Sequence, residues 1–265
     1  MFKLAAQMYT VREFTQTPKD IAESCRKVKA MGYDGIQISA FGPIDRKEMK
    51  AILDGEGLEC AATHYSLDKI ENDFDNFIED HLLWNCPTPA IGGFFPGIEN
   101  FNRPTWDAFI ERFNRLAQKV ADAKVGMRLG YHNHTHEFTA IDGVTPYSRL
   151  IRELNPATTW FEIDVFWAAF SGVDPSGLIR KVAHRIPLIH FKDLKLAFTP
   201  ESTSMNEPTR KITEVGDGNL DWPAIINACR YAGTRWLAVE RDQGDLPPFE
   251  SLQRSIDNLR YRMGL

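Results

Sequence analysis

Four side chains of types that bind metal ions follow four successive apolar segments of the chain. They are Glu137, Asp164, His190 and Glu240. Each apolar segment is typical of a buried β-strand, so we expect the four side chains at one end of one sheet or barrel. Together they offer mixed oxygen and nitrogen ligands. Such a set is more typical of a site for a manganese, magnesium or cobalt ion than of a closed structural zinc site. The set predicts an enzyme with one divalent ion, Mn²⁺ before Mg²⁺, Co²⁺ or Zn²⁺.

The first of these carboxylates ends a histidine-rich segment, YHNHTHEF. Glu137 is interpreted as a metal ligand that also serves as general base; the alternative is a solvated loop carboxylate. The histidine spacing does not match HExxH and no cysteine accompanies it, so a zinc-protease site is not favoured. His132 and His134 are expected to contact substrate or support the ligands, and His136 is expected at the surface.

The second carboxylate closes the apolar run TTWFEID. A buried aspartate is costly unless it is paired, caps a helix or binds a metal, so Asp164 is a ligand or a helix N-cap. Glu162 lies two residues earlier, faces the same side of the strand and is expected deeper in the interior. Trp167 and Phe166 follow and are expected to form an apolar wall against the substrate, unless they are ordinary core residues.

The third and fourth segments are IHFKD and WLAVE. His190 is interpreted as a ligand because three carboxylates arrive at equivalent strand ends; a lone histidine in such a strand would be a core residue. Lys192, on the same side, would stabilise an enolate oxygen or form a salt bridge. Glu240 ends the last strand, where polar residues of barrel enzymes are commonly catalytic. His64, at the end of the third strand, is a candidate catalytic acid or substrate ligand.

Strand-like and helix-like segments alternate eight times along the chain. The strands are too apolar to have one wet face, which is typical of a parallel sheet covered by helices. Eight units favour a single α/β domain over residues 1–265, closed as a (β/α)8 TIM barrel. The predicted strands are 2–8, 34–39, 58–65, 88–94, 127–132, 158–164, 187–191 and 236–240, and the predicted helices are 18–31, 46–54, 68–83, 106–121, 146–154, 175–183, 223–232 and 249–261.

One connection is unusually long and shows no periodicity. It runs from Asp193 to Asp221 and follows the strand that carries His190. A structureless loop of this length in a compact domain is commonly a lid. Gly216 and Gly218 near its end predict tight turns, and Asp221 predicts the N-cap of the next helix.

The composition narrows the classes of partner. The net charge of −5 argues against a nucleic-acid groove, and no apolar run approaches the length of a membrane span. The first strand begins near Phe2, which leaves no room for a signal peptide, so a cytoplasmic protein is expected. Four widely spaced cysteines predict reduced core residues, not disulfides: Cys25, Cys60, Cys86 and Cys229.

Five segments together resemble a known superfamily. YHNHTHEF, IDVFW with GVDP, IHFKD, VGDGNLDW and LAVE occur in this order between about residues 127 and 240. They are similar to the sugar phosphate isomerase/epimerase superfamily, the xylose-isomerase-like barrels. The resemblance implies one divalent metal held by the four predicted ligands, a small carbohydrate substrate, and compatibility with a homo-oligomer.

The chain departs from one branch of that superfamily at two positions. Ketose 3-epimerases carry a histidine where this chain has Trp167 and an arginine where it has Leu196. The HFKD and VGDG segments are closer to the inosose dehydratase branch. The substrate, its phosphorylation and the oligomeric state stay open at this point.

The predicted function is a metal-dependent isomerase or epimerase of a sugar or polyol-derived ketone. A glutamate would remove the proton next to the carbonyl, giving an enediolate next to the metal. Three alternatives remain. Expulsion of a β-hydroxyl would make the protein a dehydratase or lyase. An apurinic-site endonuclease shares the fold but needs a basic groove and more histidines. A non-catalytic sugar-binding barrel would bind sugar without metal.

Overall fold

Eight parallel strands close into one barrel in the computed structural model, which describes residues 1–200 and 202–265. Neighbouring strands around the barrel follow chain order, and the last strand pairs with the first. The barrel strands are β1 (Lys3–Gln7), β2 (Gly35–Ile38), β3 (Glu59–Tyr65), β4 (Pro89–Ile91), β5 (Leu129–His132), β6 (Thr159–Asp164), β7 (Leu188–Phe191) and β10 (Trp236–Val239). The predicted (β/α)8 fold is confirmed.

One or two helices follow each barrel strand along the chain. They are α1 (Pro18–Met31), α2 (Arg46–Glu56), α3 (Leu67–Asn72), α4 (Phe74–Leu83), α5 (Arg103–Asp122), α6 (Pro146–Glu153), α7 (Val165–Phe170), α8 (Pro175–Lys181), α9 (Trp222–Ala232) and α10 (Pro248–Asp257). The helix predicted over 68–83 is two helices, because the backbone of Asp73 is not helical, with φ −139° and ψ 48°. None of the helices described is both long enough and apolar enough to cross a bilayer.

Two tryptophans fill the interior of the barrel. Trp160 and Trp236 are buried there with small residues from neighbouring strands. A Cβ at Gly130 would lie 2.3 Å from the Trp160 ring, and one at Gly35 would lie 2.9 Å from the Trp236 ring. Both strands therefore need glycine at these positions, because the space that a side chain would take is filled by the Trp160 ring at Gly130 and, at Gly35, by the Glu59 carbonyl oxygen at 2.5 Å and the Trp236 ring.

The prediction of a structureless loop between Asp193 and Asp221 is wrong. The segment contains an antiparallel hairpin, β8 (Asp193–Ala197) paired with β9 (Thr209–Thr213). Four of the five residues of β9 are exposed or half-buried. The hairpin therefore lacks the apolar alternation by which a strand is recognised in sequence, since it is held by backbone pairing and not by burial.

Candidate functional site

Acidic and basic side chains converge where the barrel strands end. They come from β3, β5, β6 and β7 and from the residues that follow β7 and β10. We call this group the acid–histidine cluster: His64, His132, Glu162, Asp164, His190, Lys192, Glu240 and Asp242.

Strand register brings these side chains to neighbouring heights. His132 on β5 is level with Glu162 on β6, and Asp164 is level with His190 on β7. On the other side, Ala238 of β10 is level with His190, so Glu240 follows two residues later. Side chains two residues apart on a strand face the same side, so the pairs stack inside the barrel mouth.

The deeper part of the cluster is a hydrogen-bonded chain around Glu162. This carboxylate accepts from Gln37 Nε2 at 2.7 Å and is in close contact with His64 Nε2. His190 donates from Nε2 to the oxygen of Gln37 at 2.7 Å and from Nδ1 to Glu240 at 3.0 Å. Glu162 and His190 are fully buried, so this chain positions groups nearer the opening.

The upper part of the cluster surrounds one ammonium group with three carboxylates. Lys192 Nζ lies 3.0 Å from Asp164 Oδ2, 2.9 Å from Glu240 Oε2 and 2.7 Å from Asp242 Oδ2. The side chain of Lys192 is fully buried. The arrangement thus concentrates negative charge around a single fixed lysine, which favours the recruitment of a further cation.

Asp164 caps a helix with one carboxylate oxygen and has its other oxygen free of hydrogen bonds. Its Oδ1 accepts a hydrogen bond from the backbone N–H of Trp167 at 3.0 Å and so caps α7. Its Oδ2 is buried and, although close to Lys192, has no partner in hydrogen-bond geometry. A buried carboxylate oxygen in this state is costly unless a further group binds it.

Burial and mutual charge shift the pKa values within the cluster in different directions. Burial raises the pKa of Asp164. Burial alone would lower the pKa of His190, but the carboxylates of Glu162 and Glu240 raise it to about 10. Burial lowers the pKa of His132, and it lowers that of His134 to about 3. His190 is therefore charged while His132 and His134 are neutral imidazoles.

The cluster opens to solvent through a cavity of about 370 Å³. The side chains of Glu240 and Asp242 line this cavity together with His64, His132 and His134. Glu162, Asp164, His190 and Lys192 are fully buried below it. A molecule in the cavity would therefore meet carboxylates and imidazoles, while the lower groups act through them.

Two overlapping sets of side chains have the chemistry of a metal site. Among the residues described, the ligand atoms of His132, Asp164, His190 and Glu240 all lie within 4.8 Å of one another. A second set combines both histidines with His64 and Glu162. His132 Nδ1 and Asp164 Oδ2 are buried without hydrogen-bond partners. These free atoms and the oxygen–nitrogen donors fit a divalent ion, which would displace a proton from His190.

Glu137, which the sequence interpretation made the first ligand, lies outside both sets. Its carboxylate is buried and accepts from the Tyr131 hydroxyl at 2.7 Å and the backbone N–H of His134 at 2.9 Å. Tyr131 packs against Phe109 and Phe113 of α5, between the barrel and its helices. Side chains alternate along β5, so the inward position at its end belongs to His132.

The remaining predicted residues lie around the cluster. Trp167 packs beside Lys192, whose Nζ is 5.2 Å from the indole centroid, and its ring is 5.7 Å from that of His134. Lys192 is buried beneath the cavity and does not line it. His136, expected at the surface, is half-buried and donates from Nε2 to the Phe94 carbonyl at 2.7 Å.

The sequence interpretation missed two members of the arrangement, Gln37 and Asp242. Gln37 is a fully buried polar residue in the apolar run GIQIS, and an unexplained polar residue in such a run is a usable indication. Asp242 follows Glu240 by two residues in a loop, where no periodicity shows which way a side chain faces.

Comparison with known proteins assigns the chain to a family. A model of the xylose isomerase-like TIM barrel matches residues 25–262. An inosose dehydratase of Geobacillus thermodenitrificans is 26% identical, with 92% of this chain and 90% of that protein aligned. The rhizopine catabolism protein MocC of Rhizobium meliloti is 28% identical over 83% of this chain and 74% of its own length.

A solved structure agrees with the fold. The crystal structure of a sugar phosphate isomerase/epimerase from Parabacteroides distasonis superposes with a TM-score of 0.77, covers 97% of each chain and is 21% identical. The family model begins within α1, ends at residue 262 and includes every strand that contributes to the cluster. The chain therefore belongs to the xylose isomerase-like TIM barrel family, as its sequence motifs predicted.

Proposed function

We propose that this protein is a metal-dependent enzyme that removes a proton next to the carbonyl of a sugar or polyol-derived ketone. The observation that carries the proposal is the position of Glu240 and His64. Both line one cavity, and each belongs to a set of side chains with the chemistry of a divalent metal site. When bound by His132, Asp164, His190 and Glu240, such an ion supplies Lewis-acid polarisation of a carbonyl oxygen.

The residues that line the cavity divide the proton transfer between them. Glu240, from the end of β10, and His64, from β3, belong to different strands and so reach a substrate from different directions. One of them removes the α-proton and the other returns or accepts a proton elsewhere on the substrate. Glu162 is fully buried and contacts His64, so it orients this imidazole without touching the substrate.

Return of the proton to the other carbon of the enediolate gives an isomerase, and its return to the same carbon from the opposite face gives an epimerase; this pair is the function we favour. A second candidate is a dehydratase, in which the same enediolate expels a β-hydroxyl. It is supported by the inosose dehydratase among the relatives, which aligns with most of this chain. Both reactions begin with the same proton abstraction, so one assay tests their common step.

Exchange of the α-proton in heavy water tests the proposal. The Mn²⁺-loaded wild type is incubated with ketoses and inososes, and proton NMR follows loss of the signal next to the carbonyl. Exchange should occur and should fall strongly in Glu240→Gln and His64→Gln. The control is Asp221→Asn, a helix cap that does not line the cavity.

The reaction products distinguish the isomerase or epimerase from the dehydratase. An isomer or epimer identifies the first, and ultraviolet absorbance of an enone identifies the second. No exchange with any ketose or inosose would contradict the proposal. Equal binding of sugar with and without metal, and no exchange, would favour a non-catalytic sugar-binding barrel.

A further inference from the structure

A second and larger cavity adjoins the one above the acid–histidine cluster. It has a volume of about 630 Å³ and shares three lining residues with the first cavity: Ser39, His64 and Tyr65. We call it the side groove. It extends away from the cluster between the segment that follows β2 and the helices α3 and α4. A substrate that extends from the first cavity past His64 would therefore enter the side groove.

The two cavities together have more volume than a single sugar ring requires. Pockets for small ligands commonly have volumes of about 300–1,000 Å³. The cavity above the cluster, at about 370 Å³, is by itself large enough for one ring. The side groove thus offers room for a second group attached to that ring.

The side groove has an aromatic wall and hydrogen-bonding groups of both kinds. Lys69 Nζ lies 4.4 Å from the centroid of the Tyr65 ring. The guanidinium of Arg46 is paired with Asp80, Nε to Oδ1 at 2.9 Å, and contacts Asn76 and Glu79. Aromatic rings beside carboxylates and amides suit the C–H faces and hydroxyl groups of a neutral sugar.

The charge of the side groove argues against a phosphate group. Arg46 is already engaged by acidic side chains, which leaves Lys69 as the cation without an ion pair among the lining residues described. Asp45 and Asp73, neither of which forms an ion pair with a described residue, line the same groove. An anion entering it would meet repulsion from these carboxylates, whereas an uncharged polyol would not.

The backbone at the start of the side groove is strained. Ala40 has φ of 57°, in the left-handed region that residues with a Cβ avoid. Its carbonyl accepts a hydrogen bond from Gln16 Nε2 at 3.0 Å, which helps to hold this conformation. Strained residues concentrate at ligand sites, and Ala40 lies in the loop that lines the groove next to the shared Ser39.

We propose that the side groove binds a second, uncharged sugar ring, so that the substrate is a glycoside or disaccharide whose reacting ring carries the ketone. The inference rests on the proposed function for the reacting ring. Tyr65 and Phe41 line the space that the second ring would occupy, and Asp73 accepts hydrogen bonds from its hydroxyl groups.

A blocking substitution tests the groove without altering the acid–histidine cluster. Asn76 is exposed on α4 and lines the groove, so Asn76→Trp fills it. The matched control is Asn72→Trp, the same change at an exposed position of α3 that does not line the groove. Three substrates are compared: a keto-disaccharide, the methyl glycoside of the same keto ring, and a phosphate ester of that ring.

We expect wild-type kcat/KM to be at least about tenfold higher for the keto-disaccharide than for the methyl glycoside. For the phosphate ester, kcat/KM should not exceed that for the methyl glycoside. Asn76→Trp should remove the advantage and leave the methyl glycoside unchanged, whereas Asn72→Trp should change neither. Equal use of the two neutral substrates by wild type, or preference for the phosphate ester, would overturn the inference. If Asn76→Trp does not fold, Lys69→Trp blocks the groove from α3.

Failure of the proposed chemistry has a different signature. If none of the ketones exchanges a proton, saturation-transfer NMR compares binding of the unoxidised disaccharide and its methyl monosaccharide. Stronger binding of the disaccharide that disappears in Asn76→Trp would support the side groove while contradicting the catalytic proposal. Equal binding of both sugars would overturn the groove as well.

Discussion

Two buried acidic regions of this barrel satisfy their carboxylates in opposite ways. Asp193 Oδ2 accepts from the backbone N–H groups of Gly216 and Gly218 at 2.8 and 3.1 Å and from Trp222 Nε1 at 2.7 Å. Its Oδ1 accepts from the backbone N–H of Leu194 at 2.7 Å and that of Leu220 at 3.4 Å. In the acid–histidine cluster, by contrast, Asp164 Oδ2 is buried without a hydrogen-bond partner.

Under the proposed function, this difference separates a structural carboxylate from one that binds a ligand. Asp193 ties the far end of the hairpin segment back to its beginning, and its hydrogen bonds offset the cost of burial. The cluster around Lys192 retains unmatched polar atoms, which lower stability unless something binds there. Under the proposed function, stability and catalysis thus depend on neighbouring positions of one motif, IHFKD.

The largest expected effect tests the functional side of this comparison. Asp164→Asn and Glu240→Gln should each lower turnover by about 10³-fold, because each removes a charge that acts on the reacting centre. Their free energies of unfolding should change by less than about 1 kcal/mol, since Lys192 keeps two carboxylate neighbours. Urea denaturation beside a steady-state assay measures both. A loss above about 2 kcal/mol would show that the cluster is structural.

The second prediction tests the structural side. Asp193→Asn should lower the free energy of unfolding by about 2–4 kcal/mol, because the amide cannot accept all the hydrogen bonds now made to the carboxylate. Urea denaturation measures the loss. Asp221→Asn is the control and should change little, since asparagine caps a helix as well as aspartate does. An unchanged stability in Asp193→Asn would remove the contrast between the two regions.

Metal binding should stabilise only through the acid–histidine cluster. At a Mn²⁺ concentration one hundred times the dissociation constant, the wild type should gain about 2.7 kcal/mol of unfolding free energy. Asp193→Asn should retain this gain, and Asp164→Asn should lose it. Thermal denaturation with and without EDTA, with elemental analysis of bound metal, provides the measurement. A gain in Asp164→Asn would place the metal elsewhere.

The smallest effect concerns Glu137. Glu137→Gln should lower the free energy of unfolding by about 1 kcal/mol, because one of its two accepted hydrogen bonds is weakened. Bound metal should stay at about one equivalent by elemental analysis, since this carboxylate lies outside both ligand sets. Tyr131→Phe, which removes one donor to Glu137, is the matched variant. Loss of metal in Glu137→Gln alone would restore Glu137 as a ligand.

Much of the fold could be predicted because burial leaves a periodic trace. Barrel strands are covered on both faces and therefore read as apolar runs, and helices of the outer layer repeat every three to four residues. The hairpin leaves no such trace, since β9 is largely exposed. The division of the predicted helix 68–83 at Asp73 likewise depends on one backbone conformation that composition does not specify.

The site was predictable where a side chain ends a strand and was not where it follows in a loop. Asp164, His190 and Glu240 come together because parallel strands in register bring their ends to one rim, which the order of apolar runs already dictates. Whether His132, the last residue of β5, or Glu137 in the segment that follows enters the cluster depends on three-dimensional packing. The Tyr131 hydroxyl binds Glu137 outside the barrel, so His132 takes the inward position. Alternation determines direction only within a strand, and beyond its end the surrounding contacts decide.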